Sequence, residues 1–390
     1  MKLYLIAGEA SGDARGAEVM RSLSHQAEAD GVALSFRGAG GPKMKALAPA
    51  IDDWSGEAVV GLWDVLKKYG YFRRKFHAMQ REIAEWQPDA VVFIDYPGFN
   101  LRLARALRRE RDAKGGSPPP KLFYYISPQV WAWNRRRVPQ MARTLDLMLC
   151  IFPFEKELYE ATGLETVFVG HPMLDTLAAA RRDLPRQSDL VALLPGSRGK
   201  EVSRIFPVMA AAAWQMHRKQ PHLRFEVAAA SDALAQEIRS LAAAAGFAGE
   251  SAGALTVRTG GSHDLMQQAA VGMVASGTAT VESAYFGLPF LLVYRVAPLT
   301  WSVGKALVKV PFLGMVNILA GEAIVPEFLQ NDATPDAIAR TATALLTDTE
   351  RRDRQTARFR EIIAGLGEGG AGARAAEAIF RRALAHAPAR

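Results

Sequence analysis

Short runs of consecutive apolar residues recur along the chain, at Leu3 to Ala7, Ala90 to Ile94, Leu122 to Ile126, Leu147 to Phe152, Thr166 to Val169, Leu190 to Leu194, Arg224 to Ala228, Leu255 to Arg258, Val271 to Ala275 and Phe290 to Tyr294. Ala- and Leu-rich stretches with helical spacing lie between them. Runs that are continuous rather than alternating belong to parallel strands buried on both faces. The pattern predicts an α/β protein of two doubly wound, Rossmann-like domains. A length of 390 residues, too great for one ordinary core, agrees. The expected division is 1–170 and 171–348, with the break between Gly170-His171-Pro172 and the polar stretch Asp183 to Asp189. A tail, 349–390, reads as helices interrupted around Gly365 to Gly372; whether it packs back on the first domain is left open.

Two of these runs end in glycine-marked loops. Leu194-Pro-Gly-Ser-Arg198 follows one, Ala275-Ser-Gly-Thr-Ala-Thr-Val-Glu282 follows another, and each leads into a segment that can be helical. Unpaired backbone N–H groups at a helix start, with the positive end of its dipole, favour a phosphate. Arg198 can add a charge-assisted fork, and Glu282 stands where a carboxylate could accept from sugar hydroxyls. Gly196, Ser197, Arg198, Ser276, Gly277, Thr278 and Glu282 are therefore candidates for a nucleoside diphosphate site. The plainer alternative is that the glycines only end strands and Glu282 only decorates a helix.

The first half carries its own candidates. Leu5 to Asp13 (Leu-Ile-Ala-Gly-Glu-Ala-Ser-Gly-Asp) and Arg37 to Met44 place glycines where strand meets helix, which lets a ligand approach the backbone. Gly8, Glu9, Ser11 and Gly12 stand at the first of these turns. Neither loop has the dinucleotide fingerprint, and no Gly-Lys-Ser/Thr phosphate loop is present, which disfavours a dehydrogenase or an NTPase. Asp95 closes the run Val91 to Ile94 ahead of Tyr96-Pro97-Gly98. Ligands of doubly wound folds sit at such strand ends, where a partly buried carboxylate of raised pKa can take a proton from a hydroxyl. The other reading is an Asp that caps the next helix. Ser127-Pro-Gln-Val-Trp-Ala-Trp-Asn134 precedes Arg135-Arg136-Arg137. Its two Trp could line a strand face as core, yet Ser127, Gln129, Trp131 and Asn134 beside arginines look more like the wall of a polar site.

Charge and composition narrow the class. The net charge of +8 favours an acidic partner, and without a zinc finger or RNA-binding signature nucleic acid ranks behind anionic lipid and phosphorylated substrates. Leu62, Trp63, Leu66, Tyr69, Phe72 and Phe76 form an apolar stripe, with Lys67, Lys68, Arg74 and Lys75 elsewhere on the turn. Such a stripe can lie in a membrane interface or pack on its own sheet. Trp301 to Val316, with Lys305 and Lys309, is a second apolar and basic stretch. One cysteine fits a reducing compartment, and the chain shows neither a secretory signal nor a spanning apolar run, so a cytoplasmic location is expected. The 7 His and 1 Cys show no metal-ligand spacing and no Asp-x-Asp is present, so neither metal nor cofactor is expected.

Taken together, Ala7-Gly-Glu-Ala-Ser-Gly-Asp13, Gly38-Ala-Gly-Gly41, Ile94-Asp-Tyr-Pro-Gly-Phe-Asn100, Ser127-Pro-Gln-Val-Trp-Ala-Trp133, Pro153-Phe-Glu155, Gly170-His-Pro172, Leu194 to Arg198 with Glu201-Val202, Ala275 to Thr278 with Glu282, Tyr294-Arg295 and Asn317-Ile-Leu-Ala-Gly321 resemble the lipid-A-disaccharide synthases. These are bacterial glycosyltransferases of GT-B architecture, two Rossmann-like domains facing a cleft. The resemblance implies UDP-2,3-diacylglucosamine as donor and 2,3-diacylglucosamine 1-phosphate as acceptor, joined β-1,6 with release of UDP. It implies an acceptor- and lipid-binding first domain, a donor-binding second domain, Asp95 as base, and catalytic roles for Arg198 and Asn317. It also implies an enzyme peripheral to the anionic inner membrane and often dimeric. In one respect the chain departs from the family pattern, which commonly has Arg then Glu where Glu322 and Ala323 stand here. A UDP-N-acetylglucosamine 2-epimerase and a non-catalytic binder of nucleotide sugar or anionic lipid are the competing readings.

Overall fold

In the computed structural model, residues 1–54, 69–113, 119–307 and 310–385 are described. The first sheet contains β1 (Lys2–Ala7), β2 (Ser35–Gly40), β3 (Ile51–Asp53), β4 (Ala90–Ile94), β5 (Lys121–Tyr125), β6 (Leu147–Cys150) and β7 (Thr166–Phe168), in the order β3-β2-β1-β4-β5-β6-β7. The second contains β8 (Gln187–Leu194), β9 (Arg224–Ala229), β10 (Leu255–Thr259), β11 (Ala269–Ala275), β12 (Phe290–Tyr294) and β13 (Glu327–Leu329), in the order β10-β9-β8-β11-β12-β13. Their strand pairs are parallel. Every apolar run became a strand. β3 and β13 were not anticipated. β2 lies where the glycines of Arg37 to Met44 mark a strand meeting a helix, although Ser-Phe-Arg-Gly-Ala-Gly makes no apolar run and buries only its second half. Gly38 there adopts φ 138°, and a Cβ would meet the Leu5 carbonyl oxygen, so the position admits no side chain.

The chain divides into two compact units, Met1–Asp175 with Leu366–Arg390, and Thr176–Gly365. Each has its own core. Tyr4, Ile6, Val91, Phe93, Tyr124 and Met148 centre the first; Val191, Leu193, Phe206, Phe225, Met273 and Leu291 centre the second. The tail, treated as one piece in the sequence, is split between them. Phe359 of the helix Thr349–Gly365 stacks on Phe290 at 5.4 Å, and Gln355 bonds the Phe290 N–H and carbonyl at 2.9 and 3.1 Å, which ties this helix to the second unit. The amphipathic helix Ala371–Leu384 instead buries Ala375, Ile379 and Phe380 in the first unit, against the helix Ala10–Ala29.

Strand order locates a crevice in each sheet. In the first, order reverses between β1 and β4; in the second, between β8 and β11. Beyond the carboxyl ends of the strands flanking a reversal, the crossovers leave to opposite sides and a ligand can reach the backbone. Gly8 and Asp95 follow β1 and β4, while Pro195-Gly196 and Ser276-Gly277 follow β8 and β11. The glycine-marked loops and the candidate base thus stand at the reversal points of their own sheets.

Candidate active site

At the first reversal point Asp95 and Tyr96 both hold left-handed backbone, φ 47° and 49°. Non-glycine residues seldom do so, and two in succession mark a turn held by its surroundings. The holders are visible. Asp95 N–H donates to the Tyr125 carbonyl at 2.9 Å. The Asp95 carbonyl accepts from Asn100 Nδ2 at 2.8 Å and from the Tyr124 hydroxyl at 2.6 Å. Burial raises the half-buried Asp95 carboxyl above its ordinary range, and the negative charge of Glu9 pushes the same way, against a backbone hydrogen bond from Tyr96. A carboxylate so placed is a better proton acceptor than a solvated one.

The neighbouring turn after β1 surrounds it. Gly8 is buried beneath the Tyr96 ring, which a Cβ would strike at 2.3 Å. Glu9 and Ser11 are exposed at the start of the helix Ala10–Ala29, and Gly12 is buried against Ala7 and Ile94. Asp13, not singled out in the sequence, accepts from the N–H groups of Gly41, Lys43 and Met44 at 3.0, 3.0 and 2.9 Å. It ties the second glycine loop to the first.

The segment after β5 does not line a strand face. It forms a short helix, Val130–Trp133, followed by a tight turn at Arg135–Arg137. Trp131 is buried and donates its indole N–H to Glu155 at 2.9 Å, and Ser127 Oγ donates to the same carboxylate at 2.5 Å. Gln129 is exposed and Asn134 half-buried. In the sequence Glu155 stands within the motif Pro153-Phe-Glu155. Its signal was available: it stands three residues after Phe152 in a helix beginning at Pro153, and it accepts from the Phe152 N–H at 3.2 Å, half of a capping box. His171 is buried as well, takes a hydrogen bond from Met173 N–H at 3.2 Å, and has its pKa pushed down to about 4 by burial and then by Arg15. It stays neutral.

At the second reversal point a cavity of about 420 Å³ is lined by Gly196, Ser197, Arg198, Ser276, Gly277, Thr278 and Glu282, among others. The loops predicted to cradle a diphosphate therefore share one cavity. Gly196 and Gly277 have φ 106° and 143°, and a Cβ on Gly196 would meet Glu201 Oε2 at 2.6 Å. The helices Gly199–Lys219 and Thr278–Tyr285 start at these loops, which brings two sets of unpaired N–H groups to the cavity wall. Arg198 is largely exposed and paired with Glu201 Oε1 at 2.9 Å. His263, which the sequence did not suggest, places Nε2 3.4 Å from Glu282.

Asn317, to which the resemblance gives a catalytic role, is held within the fold. It is wholly buried. Its Nδ2 donates to the Val325 carbonyl and to Glu327 Oε1, both at 2.8 Å, and its Oδ1 accepts from the N–H groups of Ile324 and Val325 at 2.9 and 2.8 Å. All four of its hydrogen-bonding places are filled, so it fixes the segment before β13 and has none left for a substrate. Arg295 is similarly committed, to the carbonyls of Gln330 and Ala333 at 3.2 and 2.8 Å. Glu322 pairs with Arg358. Of the lipid candidates, Leu62, Trp63 and Leu66 lie outside the described residues, as do Lys67, Lys68 and Lys309. Phe72 is half-buried with its ring edge-on to Trp54 at 6.2 Å, part of the first core's margin. Among the described residues no group of three His, Cys, Asp or Glu could hold a metal, and no helix is long and apolar enough to cross a membrane.

A family model described as lipid-A-disaccharide synthetase matches residues 3–379. The lipid-A-disaccharide synthase of Geobacter sulfurreducens is 38% identical over 388 residues, covering 97% of this chain and 96% of that protein. That of a Pseudomonas aeruginosa strain is 35% identical, covering 98% of each. Among solved structures, a UDP-GlcNAc 2-epimerase from Neisseria meningitidis bound to UDP-GlcNAc superposes with TM-score 0.58 at 11% identity, over 99% of this chain and 100% of that one. MurG of Acinetobacter baumannii superposes with TM-score 0.53 at 16% identity, over 97% and 99%. At such identities the structural likeness speaks to the two-domain GT-B fold.

Proposed function

Because the chain belongs to the lipid-A-disaccharide synthetase family, we propose that it transfers the 2,3-diacylglucosaminyl group of a UDP-linked donor to the 6-hydroxyl of 2,3-diacylglucosamine 1-phosphate with inversion. The observation that carries this reading is the left-handed Asp95 at the end of β4, at the reversal point of its sheet, with a carboxyl raised by burial. Asp95 takes the proton from the acceptor hydroxyl as its oxygen bonds to the sugar's anomeric carbon. The bond from that carbon to the diphosphate breaks, and UDP leaves with the electron pair. In the second unit Arg198 and the helix-start N–H groups offer that pair a positive environment. Glu282 is assigned to the donor's ribose, and Glu9, Ser11, Gln129 and Asn134 to the acceptor's side.

The same reading makes the enzyme cytoplasmic and peripheral to the inner membrane, in a family that is often dimeric. Its basic surface supports the membrane part: burial and the neighbouring guanidiniums of Arg137, Arg102 and Arg109 push Arg105 below its ordinary value, the mark of clustered positive charge. The decisive experiment incubates the protein with both diacylated sugars and follows disaccharide and UDP. Product from the pair supports the reading. UDP-N-acetylglucosamine converted to its 2-epimer instead, or binding without turnover, overturns it.

A further inference from the structure

Glu155 is wholly buried, and the partners recorded for its carboxylate are neutral donors: Ser127 Oγ, Trp131 Nε1 and Phe152 N, at 2.5, 2.9 and 3.2 Å. Taking a carboxylate out of water is costly, and these donors, with the Ile151 N–H, offset the cost incompletely; burial still pushes its pKa up to about 7. An apolar residue would fill the space at less cost. What the carboxylate supplies is connection. Two of its donors belong to the segment after β5, and the others to the corner after β6. Tyr159, on the same helix as Glu155, donates its hydroxyl to the Pro128 carbonyl at 3.2 Å and adds a second tie to the same segment.

That segment starts beside the candidate base. β4 and β5 run in register with Ile94 opposite Tyr125, so Asp95 and Ile126 leave neighbouring strands together. Ile126 has φ 67°, a conformation that a β-branched residue seldom adopts. The turn is held on one side through the Asp95 N–H to Tyr125 carbonyl bond, and on the other by Glu155.

We propose that Glu155 is a positioning residue for the acceptor sugar: its carboxylate fixes the segment Ser127–Asn134, and with it the exposed Gln129 and half-buried Asn134, beside the strand end that carries Asp95. The inference rests on the reading that the acceptor hydroxyl meets Asp95.

The test compares Glu155→Ala, Ser127→Ala and the double variant, per mole of enzyme folded by circular dichroism and well below its melting temperature. Displacement of a substrate wall by about 1 Å is worth roughly 10–100-fold, so kcat/KM for the acceptor should fall by that much in Glu155→Ala. KM for the donor and calorimetric UDP affinity should stay native, since both belong to the second unit. Ser127→Ala should give a smaller loss, and adding it to Glu155→Ala should cost nothing more, because the two act through one contact. Native acceptor kinetics with a lowered melting temperature would make the carboxylate merely structural and overturn the proposal, as would an equal loss of UDP affinity. Should Glu155→Ala not fold, Ser127→Ala decides by the same acceptor readout. Asp95→Asn is run alongside. If it keeps turnover, the reading of Asp95 fails; if it loses turnover while the Glu155 variant keeps native acceptor kinetics, only the positioning role fails.

Discussion

The hydroxyl of Tyr124 donates to the main-chain carbonyl of Asp95 at 2.6 Å, and Asn100 reaches the same oxygen at 2.8 Å. The backbone of the candidate base is thereby clamped from the sheet and from the helix Pro97–Ala113. Strain at Asp95 and Tyr96 is sustained because these buried bonds are lost if the turn relaxes.

Replacing the charge without changing the shape isolates the proton transfer. Asp95→Asn should lower kcat by roughly 10²–10⁴, as expected for loss of a general base, with an unchanged circular dichroism spectrum. Because burial raises the native carboxyl, its charge opposes folding once the pH is above its native pKa. The Asn variant should therefore melt no lower than the native enzyme at pH 8. Near-native turnover of a folded Asn variant would remove Asp95 from the mechanism.

The raised carboxyl also sets a pH dependence. A base must be ionised to act, so kcat/KM should rise with pH and level off above the native pKa of Asp95, with its acid limb displaced upward from that of an ordinary carboxylate. A profile that levels off near pH 4, the range of an unperturbed carboxyl, would contradict this.

Glu155 gives a second pH effect, on stability instead of rate. Its native pKa is pushed up to about 7, whereas an unfolded Glu titrates near ~4.3. The folded state thus binds the proton more tightly. Stability contributed this way is complete below the unfolded pKa and is lost as pH rises through 7, by about 4 kcal/mol in all. Urea midpoints of the first unit should fall between pH 4 and 8, and Glu155→Gln should flatten that slope. An equal slope in both proteins would place the titration elsewhere.

How much of this was legible in the sequence follows from what each residue is buried against. Continuous apolar runs gave the central strands because both faces of those strands are covered. β3 and β13 escaped because Ile-Asp-Asp and Glu-Phe-Leu are three-residue strands with acidic positions and make no continuous apolar run, whereas β7, as short, reads Thr-Val-Phe. The loops at Gly196 and Gly277 were visible because only glycine tolerates φ 106° and 143°. The Glu155 contacts to Ser127 and Trp131, and His263 beside Glu282, were not, since a partner distant in sequence leaves no local trace; of Glu155 only its capping position was legible. The motif at Asn317 shows that the residue is present; that its polar atoms are engaged within the fold is visible only in the structure.

Asn317→Ala should accordingly act on stability. It strands the N–H groups of Ile324 and Val325 and the Val325 carbonyl in a buried place, at about 1–3 kcal/mol for each group that finds no water. The melting transition of the second unit should fall by several degrees, and activity at low temperature should fall less than in Asp95→Asn. A large loss of kcat with native melting would restore the catalytic assignment.

For Arg198, exposure decides the sign of two effects. Its pair with Glu201 leaves the Arg198 side chain 73% exposed, and such pairs contribute little to folding. Arg198→Ala should leave the melting temperature unchanged. Loss of a charge-assisted contact to a diphosphate should nevertheless weaken UDP by about 1.5–3 kcal/mol, roughly 10–150-fold in Kd by calorimetry. Unchanged UDP affinity would mean that the backbone N–H groups hold the phosphates unaided.

Glu282 shares the cavity wall with the phosphate loops, and its side chain is 19% exposed with His263 beside it. A carboxylate there can accept from two neighbouring hydroxyls of a ribose while the loops hold the phosphates. If it does, Glu282→Ala should weaken UDP about tenfold, the cost of roughly one charged hydrogen bond, and leave the binding of inorganic pyrophosphate unchanged. 2′-Deoxy-UDP should already bind more weakly to the native protein and lose less on mutation, because the hydroxyl that Glu282 contacts is missing. Equal losses for UDP and pyrophosphate would place Glu282 among the groups that shape the phosphate loops through His263.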